Sequence, residues 1–337
     1  MHIVITGGAG FLGSRLAKNL LQRGELTGSN GVPQAITRIT LLDVVPARHA
    51  DDRRVRVVTG DIVDPQTIAT AIEADTQSIF HLAAVVSGQA EADFDLGMKV
   101  NFDATRLILE RARSLGSRPR LVFTSSVAVF GGSLPDRVLD STAPTPQSSY
   151  GAQKVMGELL VTDYSRKGFI DGRALRMPTI AVRPGVPNKA ASSFASGIIR
   201  EPLNGQESIC PLGPGTRMWL MSPRKAIDNL IRGHEVDAER FGPTRALNLP
   251  GLSVTVRDMV AALESVAGKR PVDFIRWQED EAIKCIVNSW PGDFDTRRAT
   301  ELGFTADTNF ASVVRAHIDD ESQQSSPEHW PIRPSVL

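Results

Sequence analysis

Short apolar runs alternate with longer segments of helical spacing through the first half of the chain. Each run is five to seven residues long and rich in Val, Ile, Leu or Phe, which is typical of buried strands. The predicted strands are residues 2–6, 39–45, 53–58, 78–84 and 120–126. The predicted helices are Phe11–Gln22, Pro65–Ala74, Phe94–Leu115 and Tyr150–Lys167. This alternation predicts an α/β fold in which helices cover both faces of a doubly wound parallel sheet.

The pattern changes after about Met177, where Pro and Gly become frequent and the alternation weakens. We interpret this part as a smaller, irregular C-terminal substrate domain. Residues 246–251 (ALNLPG) predict one more strand of the first sheet, and residues 254–267 have the spacing of an amphipathic helix. The predicted division is 1–177 with 218–252 in the first domain, 178–217 and 253–320 in the second, and 321–337 as a polar tail.

Composition excludes several classes of partner. Lys plus Arg and Asp plus Glu are 38 each, so the chain lacks the basic excess that nucleic acids and anionic membranes attract. No apolar run reaches the roughly 18 residues of a membrane span. Cys210 and Cys285 are too few for a disulfide framework, which favours a reducing compartment, and we expect a cytoplasmic protein. The six His are scattered, so no metal site is predicted.

A glycine-rich turn, TGGAGFLG, directly follows the first strand and opens the first helix. Gly7 allows the tight turn, Gly10 lets a pyrophosphate approach the backbone, and Gly13 lets the helix pack closely on the strand. The N-terminus of the helix then offers free N–H groups to the diphosphate. This context predicts a dinucleotide site whose first residues are Gly7, Gly10, Phe11, Leu12 and Gly13.

An acidic residue at the end of the second strand predicts which dinucleotide binds. Asp43 lies 30 residues after Gly13, and we interpret the polar segment 25–37 as an inserted loop that accounts for the long spacing. A carboxylate there accepts hydrogen bonds from a free ribose 2′-hydroxyl and repels a 2′-phosphate, which favours NAD, although Arg48 nearby leaves NADP open. In the following GDI sequence, Asp61, beside Ile62, can accept a hydrogen bond from the adenine amino group.

Candidate catalytic residues follow in YGAQK, where Tyr150 and Lys154 are four residues apart and share one face of a helix. A tyrosine has a pKa near 10, and a neighbouring ammonium together with an oxidised nicotinamide stabilises its phenolate. Ser125 and Ser126 end the strand 120–126 at the carboxyl edge of the sheet, where ligands bind in such folds. A serine there would orient a substrate alcohol.

These motifs, with HLAA (81–84), FTSSVAVFG (123–131) and NLPG (248–251), resemble the extended short-chain dehydrogenase/reductase family over nearly the whole chain to about residue 320. The resemblance implies a Rossmann-type fold and a homodimer through the helices at 94–115 and 150–167. It implies that Ser126 orients the substrate, Tyr150 is the general base, and Lys154 lowers the pKa of Tyr150 and holds the nicotinamide ribose. Further cofactor residues implied are Leu82, Ala83, Ala84, Asn101, Pro178, Thr179 and Ile180.

The chain departs from the nucleotide-sugar members of this family in the expected substrate site. Pro178 and Thr179 stand where those members carry an Asn, Ser222-Pro223-Arg224 replaces an acidic stretch, and Phe130 replaces a Tyr. These departures resemble the branch that oxidises small sugar acids.

Such an enzyme oxidises a C2 hydroxyl to the 2-keto acid and passes hydride to NAD. An arginine suits the carboxylate of the substrate, since a guanidinium offers two parallel donors. We expect Arg183 and Arg217, with Ser87, Ser126 and Tyr150, to contact the sugar acid, and Arg224 is a further arginine near the pocket. The alternatives are a nucleotide-sugar 4-epimerase with the same base, and a non-catalytic NAD(H) sensor, which the Tyr–Lys pair disfavours.

Overall fold

Strands and helices alternate along the chain as the apolar pattern predicts. The computed structural model describes residues 1–29, 31–47, 52–185 and 189–324, so Arg48 and residues 325–337 of the predicted tail lie outside the described residues. The strands are β1 (His2–Thr6), β2 (Glu25–Thr27), β3 (Pro33–Ala35), β4 (Arg38–Asp43), β5 (Val55–Thr59), β6 (Thr76–His81), β7 (Arg120–Ser126), β8 (Asp171–Met177), β9 (Thr179–Ile180), β10 (Ser208–Cys210), β11 (Arg217–Met221), β12 (Ala246–Asn248), β13 (Leu252–Thr255) and β14 (Ile275–Trp277). The helices are α1 (Phe11–Arg23), α2 (Pro65–Ala71), α3 (Ser87–Ala92), α4 (Phe94–Gly97), α5 (Ala104–Leu115), α6 (Ser149–Arg166), α7 (Phe194–Leu203), α8 (Pro223–Glu235), α9 (Ala238–Phe241), α10 (Val256–Ala267), α11 (Lys269–Val272), α12 (Glu281–Asn288), α13 (Arg297–Glu301) and α14 (Phe310–Gln324).

The main sheet is parallel, and among the described residues it has seven strands in the order β12-β8-β7-β6-β1-β4-β5. The chain builds outward from β1 through β4 and β5, then crosses back to β6 and builds outward in the other direction. The strand order therefore reverses between β1 and β6, and a crevice forms at the carboxyl ends of the strands where such a reversal occurs. The doubly wound α/β fold predicted from the sequence is confirmed.

Apolar side chains alternate between the two faces of this sheet. In β1, Ile3 and Ile5 join a core with Leu16 and Leu20 of α1 and with apolar residues of α8. Val4, between them, points to the opposite face, where α2, α5 and α6 supply the core. Both faces are covered, which explains why the strands are nearly continuous apolar runs rather than alternating apolar and polar ones.

A second unit packs around its own apolar core. β9, β11 and β13 form one small sheet, β10 and β14 form another, and apolar residues of α7, α10, α12 and α14 complete the core. α8 and β12 return to the main sheet, as predicted for part of residues 218–252. Met218–Met221 differ from that expectation, since β11 pairs with β9 and β13 in the second unit.

Two further segments differ from their predicted structure. Residues 25–37, interpreted as a loop, contain the antiparallel pair β2 and β3, which is too short to give a strong alternating pattern. The predicted helix Phe94–Leu115 is interrupted by a π-helical stretch, Met98–Asp103, between α4 and α5. A π-helical turn widens the helix locally and occurs frequently at functional sites.

The C-terminal helix α14 is tied to the nucleotide side of the molecule by one carboxylate. Asp320 accepts hydrogen bonds from Arg15 of α1 at 2.6 Å and from Arg224 of α8 at 2.6 and 3.0 Å. Burial raises the pKa of Asp320, but these two arginines outweigh it, so that the pKa lies below its ordinary value. The second unit is therefore held against α1, the helix that follows the glycine-rich turn.

We expect Asp320→Asn to lower the free energy of unfolding by about 1–3 kcal/mol at neutral pH, because both arginines lose a charged acceptor. The pKa of Asp320 is depressed by folding, so this stability exists above its unfolded pKa and is lost as the pH falls below about 4. Urea unfolding of the wild type and the variant, at neutral pH and below pH 4, measures the difference.

The control is Asp319→Asn, because Asp319 is 61% exposed and its carboxylate comes no closer than 4.0 Å to Arg224. An equal loss of stability in both variants would contradict the role of Asp320.

Candidate active site

A cavity of about 830 Å³ opens at the carboxyl edge of the main sheet, where the strand order reverses. Its walls come from the residues that follow β1, β4, β5, β6, β7 and β8, from Tyr150 and Lys154 of α6, and from Arg183, Ala190, Ser192 and Trp290 of the second unit. Volumes of this size are typical of small-molecule and cofactor sites. The predicted cofactor residues that line it are Gly7, Gly10, Phe11, Leu12, Gly13, Asp43, Asp61, Ile62, Leu82, Ala83, Ala84, Tyr150, Lys154, Pro178, Thr179 and Ile180.

The glycine-rich turn brings α1 into backbone contact with β1. Gly7 has a φ of +70°, which a residue with a side chain rarely adopts, and a Cβ on Gly13 would lie 2.1 Å from the carbonyl oxygen of Gly7. A Cβ on Gly10 would contact only that same oxygen at 3.1 Å, so this residue faces open space in the cavity. α1 begins here without a side-chain cap, which leaves its first N–H groups and its positive dipole end toward the cavity.

Asp43 ends β4 beside this turn. Its Oδ2 accepts a hydrogen bond from the N–H of Ala9 at 2.9 Å, and its Oδ1 lies 3.4 Å from the N–H of Val45. Further along the same wall, Asp61 is exposed and its Oδ1 accepts from the N–H of Val63 at 3.1 Å. Two carboxylates therefore lie at the ends of β4 and β5, the part of the cavity farthest along the sheet from Tyr150.

Asn101 does not line the cavity, although it was predicted to contact the cofactor. It is buried on the π-helical stretch, where its Oδ1 accepts from the N–H of Val85 at 2.8 Å. Its Nδ2 donates to the carbonyl oxygen of Val85 at 3.1 Å and to Oε1 of Gln153 at 2.7 Å. The carboxamide therefore fixes the backbone of Val85, a residue of the cavity wall.

The Ser–Tyr–Lys residues are brought together by the close approach of α6 to the end of β7. A Cβ on Gly151 would lie 2.1 Å from the carbonyl oxygen of Ala128, so only glycine fits directly after Tyr150. Ser126 Oγ accepts from the N–H of Ala128 at 3.1 Å and lies near enough to the phenol of Tyr150 to lower its pKa. Lys154 Nζ donates to the carbonyl oxygen of Thr124 at 2.8 Å and lies 5.6 Å from the centre of the Tyr150 ring.

Burial favours the neutral forms of both Tyr150 and Lys154. It raises the pKa of Tyr150 to about 12, while the hydrogen bond from Ser126 and the charge of Arg183 act in the opposite direction. Burial also lowers the pKa of Lys154 to about 7, against the charge of Glu158. The sequence predicted Lys154 as the cation that lowers the pKa of Tyr150; in the structure the charge of Arg183 has this effect, and Lys154 Nζ lies 5.6 Å from the centre of the ring. A further positive charge beside the phenol would favour its ionisation.

Arg183 and Ser87 both line the cavity, and Arg183 is near enough to Tyr150 for its charge to lower the pKa of the phenol. Ser87 Oγ accepts from the N–H of Ala191 at 3.2 Å and keeps its own proton available to donate. Arg217 differs from expectation, since it is exposed at the start of β11, donates to Ser253 Oγ at 3.3 Å and does not line the cavity. Arg224 is bound to Asp320, so among the arginines of the described residues Arg183 alone reaches the cavity.

Several cavity residues carried no recognisable signal in the sequence. Gln89, Ser192 and Trp290 also line the cavity. Gln89 could have been found from its position two residues after Ser87. Trp290 follows α12 and is more than 100 residues from the catalytic helix in sequence, so only the tertiary fold brings it there.

One group of potential metal ligands lies outside this cavity. The ligand atoms of His2, Glu73 and Asp75 lie within 4.8 Å of one another. Arg38 forms ion pairs with Glu73 at 2.9 Å and with Asp75 at 2.7 Å. Since an arginine already supplies the positive charge, we assign no metal to this group.

Comparisons with known proteins agree with this geometry. The sequence profile of the NAD dependent epimerase/dehydratase family matches residues 3–220. D-erythronate dehydrogenase of Cupriavidus necator is 58% identical over 320 residues, which cover 95% of this chain and 98% of the relative. The Haemophilus influenzae protein of the same name is 47% identical, covering 95% and 99%. A crystal structure described as a nucleoside-diphosphate-sugar epimerase from Agrobacterium tumefaciens has a TM-score of 0.90 and 44% identity, covering 96% of this chain and 95% of that one.

We expect Gly13→Ala to lower the free energy of unfolding by about 1–3 kcal/mol, because the added methyl group would lie 2.1 Å from a backbone oxygen and must displace α1 from β1. Gly10→Ala is the matched control, since its methyl group enters the cavity and should change the stability by less than about 1 kcal/mol. Urea unfolding without added ligand measures both. Equal stability of the two variants would contradict the close packing of α1.

Proposed function

The chain belongs to the NAD dependent epimerase/dehydratase family, and we propose that it is an NAD-dependent dehydrogenase that oxidises the C2 hydroxyl of D-erythronate, or of a closely similar small sugar acid, to the 2-keto acid. The observation that carries this proposal is the meeting of Ser126, Tyr150, Lys154 and Arg183 at one end of the cavity whose other end carries the dinucleotide motif. The two relatives named D-erythronate dehydrogenase support the choice of substrate.

The residues of the cavity suit NAD. The open space at Gly10 and the uncapped start of α1 suit a pyrophosphate, and Asp43 suits a ribose with a free 2′-hydroxyl. Lys154 would hold the nicotinamide ribose, and Pro178, Thr179 and Ile180 would lie beside the ring. When bound, NAD supplies the hydride acceptor and a positive ring close to Tyr150.

The protein side of the reaction is a proton transfer. Tyr150 Oη would remove the proton of the C2 hydroxyl, while Ser126 Oγ holds the oxygen of that hydroxyl in place. Arg183 would bind the carboxylate of the substrate with two parallel donors. Ser87 would donate to another hydroxyl of the sugar acid. Orientation of the two reactants by these residues supplies much of the rate increase.

We also propose a homodimer in the cytoplasm. Phe94 of α4 and Leu159 of α6 are 59% and 64% exposed, and these two helices pack against each other, so their apolar side chains are available to a second copy of the chain.

Cys210 and Cys285 are both free thiols, which is consistent with a reducing compartment. Among the described residues, no helix has both the length and the apolar composition needed to span a membrane.

We expect Tyr150→Phe to lower kcat for D-erythronate by about 10²- to 10⁴-fold, because the general base is removed. Its affinity for NAD should change little, since the phenyl ring keeps its place. NADH formation across C4–C6 aldonic acids, and binding of NAD by calorimetry, measure the two quantities. The control is Tyr164→Phe, which removes the other tyrosine of the chain, at the far end of α6.

Undiminished turnover in Tyr150→Phe would exclude the general-base role. Lack of NADH formation by the wild-type protein with every aldonic acid, together with epimerisation of a nucleotide sugar, would replace the dehydrogenase with the epimerase.

We expect Arg183→Met to lower kcat/KM for D-erythronate by about 10- to 100-fold, because a charge-assisted hydrogen bond to the carboxylate is lost. Arg217→Met is the matched control and should change kcat/KM by less than about twofold, as expected of an exposed charge. Steady-state kinetics with saturating NAD measures both. A larger effect of Arg217→Met would move the carboxylate site to β11.

A further inference from the structure

A buried acid lies one helical turn beyond Lys154, and the mechanism above does not use it. Tyr150, Lys154 and Glu158 follow one another at intervals of four residues on α6 and therefore share one face of the helix. Glu158 is only 3% exposed. Acidic side chains are rarely buried to this degree unless a partner compensates the charge.

The carboxylate of Glu158 is held on both of its oxygens. Arg176 of β8 donates from Nε to Oε1 at 2.9 Å and from Nη2 to Oε2 at 2.8 Å, in the parallel arrangement that favours an ionised carboxylate. Ser125 Oγ donates to Oε1 at 2.5 Å. Arg176 is itself fixed by Asn248 and by stacking on the Phe130 ring at 4.8 Å. The hydrogen bonds from Arg176 and Ser125 therefore fix the position of the Glu158 carboxylate.

Lys154 needs such a charge because its surroundings otherwise favour the neutral amine. The groups that face its side chain are Tyr150 and Glu158 from α6, His81 from β6, and Phe123 and Thr124 from β7. His81 is buried between Thr6 and Thr105, and burial together with the charge of Lys154 lowers its pKa to about 3, so it is neutral. Among these groups, Glu158 is the one with a negative charge.

We propose that Glu158 is a positioning residue for the oxidation: its carboxylate, held by Arg176 and Ser125, keeps Lys154 as an ammonium ion and thereby supports the ionised form of Tyr150. The inference rests on the proposed function. Along the helix axis Glu158 is about 6 Å from Lys154 and about 12 Å from Tyr150. Its charge therefore favours the ammonium–phenolate form over the amine–phenol form, which contains the same number of protons.

The first test is the pH dependence of Glu158→Gln, which keeps the shape of the side chain and removes its charge. Without that charge the pKa of Lys154 falls. At a pH above this pKa, each decrease of the pKa by one unit lowers the population of the ammonium form about tenfold. We expect the ratio of kcat/KM in the variant to that in the wild type to be near 1 at acidic pH and to fall tenfold or more as the pH rises. A ratio that stays constant with pH would overturn the proposal.

A double-mutant cycle separates this role from a structural one. If Glu158 acts through Lys154, Glu158→Gln should have little further effect on single-turnover rates in a Lys154→Ala background, although it still lowers Tm. The matched control is Asp171→Asn, which neutralises a buried acid that pairs with Arg173. Asp171 is on β8, as Arg176 is, but it is the first residue of the strand and therefore lies at the edge of the sheet away from the cavity. Its ratio to the wild type should not vary with pH. Equal losses with and without Lys154 would show a structural role only.

A second pair of substitutions applies if Glu158→Gln fails to fold. Glu158→Met combined with Arg176→Met removes both charges and leaves neither unpaired, an exchange that buried ion pairs often tolerate. The same pH-dependent loss is expected, and a pH-independent loss would overturn the proposal.

A measurement without substrate keeps this inference separate from the proposed function. The chain is labelled with [ε-¹³C]lysine, and the Lys154 signal is assigned by its loss in Lys154→Arg. In the NAD-free protein, we expect the midpoint of the Lys154 titration to be lower than in the wild type by about one pH unit or more in Glu158→Gln, and to be unchanged in Asp171→Asn. An unchanged midpoint in Glu158→Gln overturns the role of Glu158, whereas a lowered midpoint in a protein that oxidises no sugar acid overturns only the proposed function.

Discussion

Contact between backbones at two glycines is the constraint on which the active site depends. At Gly13 and at Gly151 a Cβ atom would lie 2.1 Å from a carbonyl oxygen of the neighbouring turn. The first contact sets the start of α1 at the end of β1, and the second sets Tyr150 and Lys154 at the end of β7. Since the two strands are separated only by β6 in the sheet, these contacts place the dinucleotide motif and Tyr150, the proposed base, in the lining of one cavity. A larger side chain at Gly13 or Gly151 would push a helix away from the sheet and so widen the cavity, although it touches none of the reactive groups.

The second constraint is electrostatic and arises from the first. Close packing of the helices on the sheet buries Lys154 and half-buries Tyr150, so both side chains favour their neutral forms. Reactivity then depends on fixed charges around the pair. Arg183 lines the cavity, and its charge favours the phenolate of Tyr150; Glu158 does not line the cavity, and its charge favours the ammonium form of Lys154. The protein therefore supplies a polar environment in place of water.

Sequence predicted those parts of the site that depend on local spacing. The glycine-rich turn and the Tyr150–Lys154 pair are each contained within one strand–turn–helix unit or one helix, so their geometry follows from a short stretch of chain. Asn101 and Arg217 were misplaced because their surroundings are not local. A π-helical stretch turns Asn101 behind the wall, and the pairing of β11 with β9 and β13 leaves Arg217 at an exposed strand end. Trp290 reaches the cavity only through the packing of the second unit, which no spacing along the chain reveals.

The position of the positive charge within the cavity argues for a 2-hydroxy acid as substrate. In such a molecule the carboxylate is bonded directly to the carbon that is oxidised, so the group that binds the anion must lie beside the group that removes the proton. Arg183 meets this requirement, since its charge acts on Tyr150 and both side chains line the same end of the cavity. In a nucleotide sugar the phosphates lie several bonds from the reacting carbon, and their cations would be needed farther from the base. Arg217, which was expected beside Arg183 at the sugar acid, is exposed and donates to Ser253 instead. The position of Arg183 beside Tyr150 thus favours a sugar-acid dehydrogenase over a nucleotide-sugar epimerase on a fold that serves both.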